Sequence, residues 1–289
     1  MCGIVGLHLR TPELYPQLGE LLTGMLCEMS DRGSDSAGVA VYGDPVWSPP
    51  GKGCVSVTDI DTAPDLGPDV TVVQAGSTYL VTADTSSEDL LTRVRAAYPE
   101  ALVAGFGAEL AVLKGVGDPR TLTDGWGLTN AQGWQGVGHT RMATESAVTP
   151  SGCHPYTVGP QQCLVHNGSF ANHATIRREL LRAGVEFDSE NDTEVGARFV
   201  AAQLAAGRDV EGALKELCAT FDGFYTLLVS NRDSFAVVRD AIACKPAVIA
   251  ETPHWVAMAS EYRALAGLPG VAQAKIWEPE PEVVYAWTR

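Results

Sequence analysis

The 289-residue sequence is short of positive charge, of long apolar runs and of any regular cysteine framework, and each shortage closes off a class of protein. Lys and Arg number 20 against 35 Asp and Glu, a formal net charge of −15. Nucleic-acid binders gain much of their affinity by neutralising phosphates with Lys and Arg, so nucleic acid is disfavoured as a partner. The same charge favours solubility and a basic protein partner. No run of about eighteen apolar residues occurs, so no membrane-spanning helix is expected. The N-terminus lacks a basic region followed by an apolar stretch and a cleavage site, so no secretory signal is expected. Seven cysteines, an odd and irregularly spaced set, predict reduced thiols in a cytoplasmic protein. Gly105-Phe106-Gly107 and Gly115-Val116-Gly117 lie near predicted strands but complete no phosphate-binding pattern with a following helix, so no nucleotide site is expected.

What is present begins at Cys2, between Met1 and Gly3-Ile4-Val5-Gly6. Initiator methionine is generally trimmed before a small side chain, which would leave a thiol and a free α-amino group on one residue. These groups titrate at about 8.5 and about 7.7–8.0, so either can pass a proton near neutral pH. An N-terminal residue of this kind carries nucleophile and base together. The alternative is a small buried apolar residue at the start of a strand.

Gly3 to Leu9 reads as a short apolar strand. From Leu14 to Met29, apolar residues recur at Leu18, Leu21, Leu22, Met25, Leu26 and Met29, a helical stripe. The Asp31-Arg32-Gly33-Ser34-Asp35-Ser36 segment ends it with turn chemistry, and Ala37 to Tyr42 resumes as a strand. Residues 45–133 read as an inserted β-α-β-β unit, with strands within 70–82, 101–106 and 109–116 and a helix after Ser86, whose pairing with Asp89 is capping-box-like. Beyond it come strands at 133–140 and 163–167, three helices marked by Ile176, Val195 and Val210, and four short strands at 224–230, 234–239, 247–250 and 255–259. Strands at both ends with helices between them predict layered α+β packing rather than regular β-α-β winding.

Four separated segments carry groups that could surround Cys2: Gly138-His139-Thr140-Arg141-Met142-Ala143-Thr144, Gly152-Cys153-His154-Pro155, Val165-His166-Asn167-Gly168-Ser169 and Ser189-Glu190-Asn191-Asp192-Thr193-Glu194. Each has a plainer explanation. Arg141 could sit in a structural ion pair, Asn167-Gly168 could be a hairpin turn, and Asp192 could cap the helix that follows it. Cys153, His154, Cys163 and His166 are zinc-ligand types, but adjacent ligands are awkward for one tetrahedral ion, and no metal is expected.

Together, in this order behind Cys-Gly-Ile-Val-Gly, these segments resemble the class II glutamine amidotransferases, which are N-terminal-nucleophile hydrolases. The Asp31-Arg32-Gly33 turn and the Arg239-Asp240 and Ser260-Glu261 pairs fit the same family. The resemblance implies a four-layer α-β-β-α sandwich, with the small α/β insertion as an added subdomain. It also implies that Cys2 attacks the side-chain amide of glutamine to form a glutamyl thioester, its own α-amino group moving the proton. Asn167 and Gly168 would donate to the oxyanion. Arg141 would hold the substrate α-carboxylate and Asp192 the ammonium, with Thr144 a further substrate-binding residue. His139 and His166 are expected to be structural, since the α-amino group fills the acid–base role. Departures from the family pattern at Ser34, Met142 and within the 239–246 segment argue against a standard synthetase member but leave the nucleophile and its partners in place.

No room for an acceptor domain is expected after the amidotransferase-like region, so the acceptor chemistry is expected elsewhere. The chain is similar to stand-alone amidotransferase-like subunits of glutamate-synthase-related systems such as N-methylglutamate synthase. That resemblance implies glutamine or glutamate as substrate, partner subunits related to glutamate synthase domains, no cofactor in this chain, and a flavin, if any, in a partner. Two alternatives stand beside it: a catalytically silent assembly subunit, and an amidophosphoribosyltransferase-type glutaminase domain.

Overall fold

The computed structural model describes residues 2–142, 148–159 and 161–289. The N-terminal part runs β1 (Gly3–Leu9), α1 (Leu18–Glu28) and β2 (Ser36–Tyr42). The middle comprises β3 (Gly53–Thr58), β4 (Val70–Ala75), β5 (Thr78–Ala83), α2 (Ser87–Ala97), β6 (Leu102–Ala108), β7 (Leu110–Val116), α3 (Pro119–Trp126) and β8 (Gln135–Arg141). Then come β9 (Cys163–Phe170), α4 (His173–Arg182), α5 (Asp192–Ala205) and α6 (Val210–Thr220). The chain closes with β10 (Gly223–Ser230), β11 (Ser234–Arg239), β12 (Val248–Glu251), β13 (Trp255–Ala259), β14 (Lys275–Trp277) and β15 (Tyr285–Thr288).

Two antiparallel sheets form the body. The larger has the order β14-β12-β13-β1-β8-β2-β7 and the smaller β15-β11-β10-β9. Alternation along β1 decides the layering, because successive side chains leave a strand on opposite faces. Val5, Leu7 and Leu9 point outward and pack with Leu18, Leu22, Met25 and Leu26 of α1. Ile4 points inward, where Val112, Val137 and Met258 meet Val165, Leu228 and Phe235 of the smaller sheet. That sheet's outer face, with Leu164, Leu227 and Val229, is covered by Val195 and Val200 of α5 and by Leu214 and Leu217 of α6. The result is the expected four-layer α-β-β-α sandwich. No helix among the described residues is long and apolar enough to cross a membrane.

A third sheet, order β4-β5-β3-β6, stands apart from these two. Helix α2 covers it through Leu90, Leu91 and Val94, and starts where Ser86 Oγ accepts the Asp89 N–H at 3.1 Å, as the sequence predicts. The 109–116 segment differs from expectation. Instead of belonging to the inserted unit, β7 pairs with β2 from Ser36↔Val116 to Tyr42↔Leu110 and becomes an edge of the larger sheet. Its Leu110-Ala111-Val112-Leu113 run is buried on both faces, which the small sheet alone could not provide.

Two other differences bear on the site. The helix predicted from Leu14 starts as α-helix only at Leu18, because Pro16 has no N–H to give and holds Pro12–Gln17 as a 3-10 turn. Strand β9 continues three residues past Asn167 to Phe170, so Asn167-Gly168 lies inside a strand and not in a hairpin turn.

Candidate active site

Cys2 is held by its backbone rather than by its thiol. Its carbonyl accepts Arg32 Nε–H at 2.9 Å and Asn167 Nδ2–H at 3.1 Å. Arg32 is buried, 7% exposed, and its guanidinium also bonds Glu261 at 2.6 Å. That guanidinium, bonded to the carboxylate, is the main cause holding the Glu261 carboxyl below its ordinary range, with Arg263 assisting against partial desolvation. The next turn of chain is pinned too, since Ile4 N donates to Ser260 Oγ and Ser260 N to Ile4 O, both at 2.9 Å. The thiol is half-buried and lies 3.9 Å from the Met142 carbonyl.

Strand β9 supplies the opposite wall, and its place at the edge of the smaller sheet matters. In an antiparallel ladder, a residue points both its N–H and C=O to one neighbour or to the other. Tyr225 of β10 uses both on Asp240, donating to Oδ1 at 2.7 Å and accepting from Asp240 N at 3.0 Å. Its partner across the ladder, Gly168, therefore turns its own N–H away from β10 and off the free edge. The N–H groups two residues apart on that edge follow suit. Leu164 donates to Tyr156 O at 2.9 Å, His166 to His154 Nδ1 at 3.4 Å, and Phe170 to Asp192 Oδ2 at 2.9 Å. The Gly168 N–H, in the middle of this row, meets no side chain among the described residues. Gly168 has φ +147°, and a Cβ there would overlap the Phe224 carbonyl, so only glycine fits.

Arg141 ends β8 with its side chain buried, opposite Ser36 of β2. A Cβ on Gly33 would come within 2.5 Å of the Arg141 backbone, so the Asp31-Arg32-Gly33 turn lies directly on it. This close approach is what carries Arg32 to Cys2. Asp192 does not cap α5. Asn191 does, its Oδ1 accepting Thr193 N–H at 2.8 Å, which leaves the Asp192 carboxylate turned toward β9. Thr144 lies outside the described residues. Asn167 thus meets Cys2 directly, Gly168 follows Asn167 on β9, Arg141 ends the strand that pairs with β1, and Asp192 meets β9 at Phe170. The sequence did not single out Arg32 or Thr193 for this site. The 31–33 turn carried a family signal, but nothing local joins Arg32 to Glu261, 229 positions away.

Three histidines lie behind this wall. Ring centroids of His139 and His154 are 4.0 Å apart, and those of His154 and His166 are 6.5 Å apart. Burial lowers all three pKa values, that of His139 to about 3, with the neighbouring histidines adding to the effect on His139 and His154. Neutral imidazoles of this kind are poor proton shuttles near pH 7. The zinc alternative finds no geometry either: no cluster of three or more His, Cys, Asp or Glu among the described residues is arranged to hold a metal. Cys153 Sγ faces Thr149 O at 3.2 Å, whereas Cys163 Sγ faces Thr157 Oγ1 at 3.3 Å.

A family profile for the glutamine amidotransferase domain matches residues 139–267, and a close full-length relative extends the match to the remainder: the chain belongs to the class II glutamine amidotransferases. That relative is the glutamine amidotransferase-like protein GlxB of Rhizobium meliloti (strain 1021), 46% identical over 99% of this chain and 98% of GlxB. A putative glutamine amidotransferase of Methanothermobacter thermautotrophicus is 27% identical over 99% of both chains. Among solved structures, the glutamine phosphoribosylpyrophosphate amidotransferase of B. subtilis superposes with a TM-score of 0.63 over 99% of this chain and 49% of that one. At 17% identity this is a likeness of fold.

Proposed function

We propose that this chain hydrolyses the side-chain amide of glutamine with Cys2 as nucleophile and delivers the ammonia, or the glutamyl group, to partner subunits. With Met1 removed, the Cys2 α-amino group takes the thiol proton and the thiolate attacks the amide carbon. The oxygen of the tetrahedral intermediate gains negative charge and accepts the Gly168 N–H and the second amide N–H of Asn167, the first being occupied by the Cys2 carbonyl. The ammonium on Cys2 returns its proton to the departing nitrogen, ammonia leaves, and water hydrolyses the glutamyl thioester to glutamate. An oxyanion donor of this kind is worth about 3–4 kcal/mol of barrier. Arg141 takes the α-carboxylate in the bidentate fashion open to a guanidinium, Asp192 takes the α-ammonium, and Thr144 is a further substrate-binding residue. This chemistry calls for no cofactor in this chain.

One observation carries the reading. On the free edge of β9, the Leu164, His166 and Phe170 N–H groups have acceptors, whereas that of Gly168 meets no side chain among the described residues and adjoins the amide that anchors Cys2. The partner assignment rests on the sequence resemblance. The complex is of the N-methylglutamate synthase or glutamate-synthase-related kind, with any flavin in a partner subunit, and the inserted unit around β3 to β6 is the docking element.

The test is glutamate formation from L-glutamine by the processed chain, alone and with copurified partners. Cys2→Ala abolishes it, whereas Cys153→Ala and Cys163→Ala retain it. A processed chain with a free Cys2 amine and no turnover, even with its partners present, would instead identify a silent assembly subunit.

A further inference from the structure

We propose that His166 and Thr193 form a positioning relay that orients the Asp192 carboxylate for the substrate ammonium. This rests on the proposed role of Asp192 and adds to it two residues that touch no substrate. Asp192 Oδ2 accepts the Phe170 N–H at 2.9 Å. Its other oxygen, Oδ1, accepts from Thr193 Oγ1 at 3.4 Å. Thr193 Oγ1 stands 2.9 Å from His166 Nδ1.

The directions of these bonds follow from proton counting. An ionised carboxylate only accepts, so the single Thr193 hydroxyl proton goes to Asp192 and the oxygen must accept from His166. His166 is therefore the Nδ1–H tautomer. Its Nε2 has no partner among the described residues, and a bare lone pair there is more tolerable than an orphaned N–H. The opposite tautomer would bury such an orphan.

The ring that starts the relay and the backbone that carries it are both held. Phe170 stacks on it at 4.4 Å and 20°. The His166 backbone is held at both ends, its N–H by His154 Nδ1 at 3.4 Å and its C=O by His139 Nε2 at 3.1 Å. His166 and Thr193 are 3% and 1% exposed, so both are shielded from bulk solvent. A carboxylate offers about four lone-pair sites, and one on each oxygen is taken by Phe170 and Thr193. That count leaves two for the ammonium that the proposed role of Asp192 requires. The 3.4 Å bond to Thr193 is the loosest member, and bonds of unliganded sites commonly tighten when ligand arrives.

The experiment compares L-glutamine with glutaramate, the same molecule without its α-amino group. Binding is measured calorimetrically in the Cys2→Ala chain, so that neither is turned over. Thr193→Val is expected to weaken L-glutamine about tenfold, the range for a hydrogen bond to a charged group, and to leave glutaramate unchanged. Thr193→Ser restores L-glutamine binding, and His166→Phe reproduces the Thr193→Val effect. With Cys2 intact, Thr193→Val raises KM and leaves kcat in place. Equal weakening of both ligands, or no weakening of either, overturns the relay. Asp192→Asn separates the two levels. If it does not discriminate L-glutamine from glutaramate, or if L-glutamine does not bind at all, the reading of Asp192 falls and the relay with it. If Asp192→Asn discriminates and Thr193→Val does not, the relay alone falls.

Discussion

Arg32→Met separates the placement of the nucleophile from the stability of the fold. Arg32 is 7% exposed and Glu261 35% exposed, so their 2.6 Å pair lies between a surface bridge and a buried one. A pair with one partner this open contributes about 1 kcal/mol, and removing the guanidinium also removes its desolvation cost. The pair's own share of the loss in urea unfolding should therefore be about 1 kcal/mol or less. Cys2 loses more. Its carbonyl has two donors, and the charged one, Arg32 Nε at 2.9 Å, is worth about 2 kcal/mol. Spent on holding the nucleophile, that corresponds to a roughly 30-fold fall in kcat/KM for glutamine. Glu261→Gln shows the reverse pattern. It keeps the Nε bond, leaves a buried cation without its counter-ion, and should cost about 1–2 kcal/mol of stability with activity within about threefold. The acid limb of unfolding adds a check. The folded Glu261 carboxyl lies below its ordinary value near 4.5, chiefly because of Arg32, so its contribution is present above that value and is lost as pH falls through the depressed one. Arg32→Met should remove most of that share of the acid slope. An Arg32→Met chain with unchanged kcat/KM, or one whose activity falls only with its folded fraction, would refute the reasoning.

Gly168→Ala should cut glutaminase activity by about a hundredfold or more and destabilise the fold, because φ is +147° and the new Cβ meets the Phe224 carbonyl; wild-type rates would show that the N–H is not used. Lys114 is buried with no ion pair among the described residues, above the Tyr156 ring, and burial lowers its pKa from 10.5 to about 8. Its stability penalty is therefore full below about 8 and relieved as pH rises toward 10.5, so Lys114→Met should stabilise the chain by on the order of 3 kcal/mol at pH 7 and flatten that rise. Iodoacetamide at neutral pH should modify exposed Cys244 within the native chain and spare Cys54, Cys153 and Cys163, whose thiols are buried and whose pKa values burial raises, that of Cys54 to about 12. Mass-spectrometric mapping of the labelled peptides would show otherwise if those sites open.

Local chemistry is legible in the residues themselves. The Ser86 cap depends on residues three apart, and Ser86 Oγ does meet Asp89 N. The strands ending near Ser230, Arg239, Glu251 and Ala259 stand out as short apolar runs between turn residues. The two short strands β14 and β15 do not, because Lys275–Trp277 and Tyr285–Thr288 are mostly exposed and carry little apolar periodicity. Likewise Asn191 and Asp192 are both good capping residues, and sequence alone does not choose between them. Packing against Phe170 made the choice by claiming the Asp192 carboxylate.

By itself the sequence determined the residue types at Cys2, Arg141, Asn167, Gly168 and Asp192, their order, and the periodicities that make strands and helices around them. Those properties are local, set by side-chain chemistry and by repeats of two or about 3.6 residues. Tertiary structure decided which strand neighbours which. It put β7 into the larger sheet instead of the inserted unit, and left β9 on an edge so that the Gly168 N–H faces away from β10. It brought Arg32 to the Cys2 carbonyl from thirty residues away, and Glu261 to Arg32 from 229. Such pairings depend on which faces find partners when all the layers are buried at once, and no window of sequence holds that information.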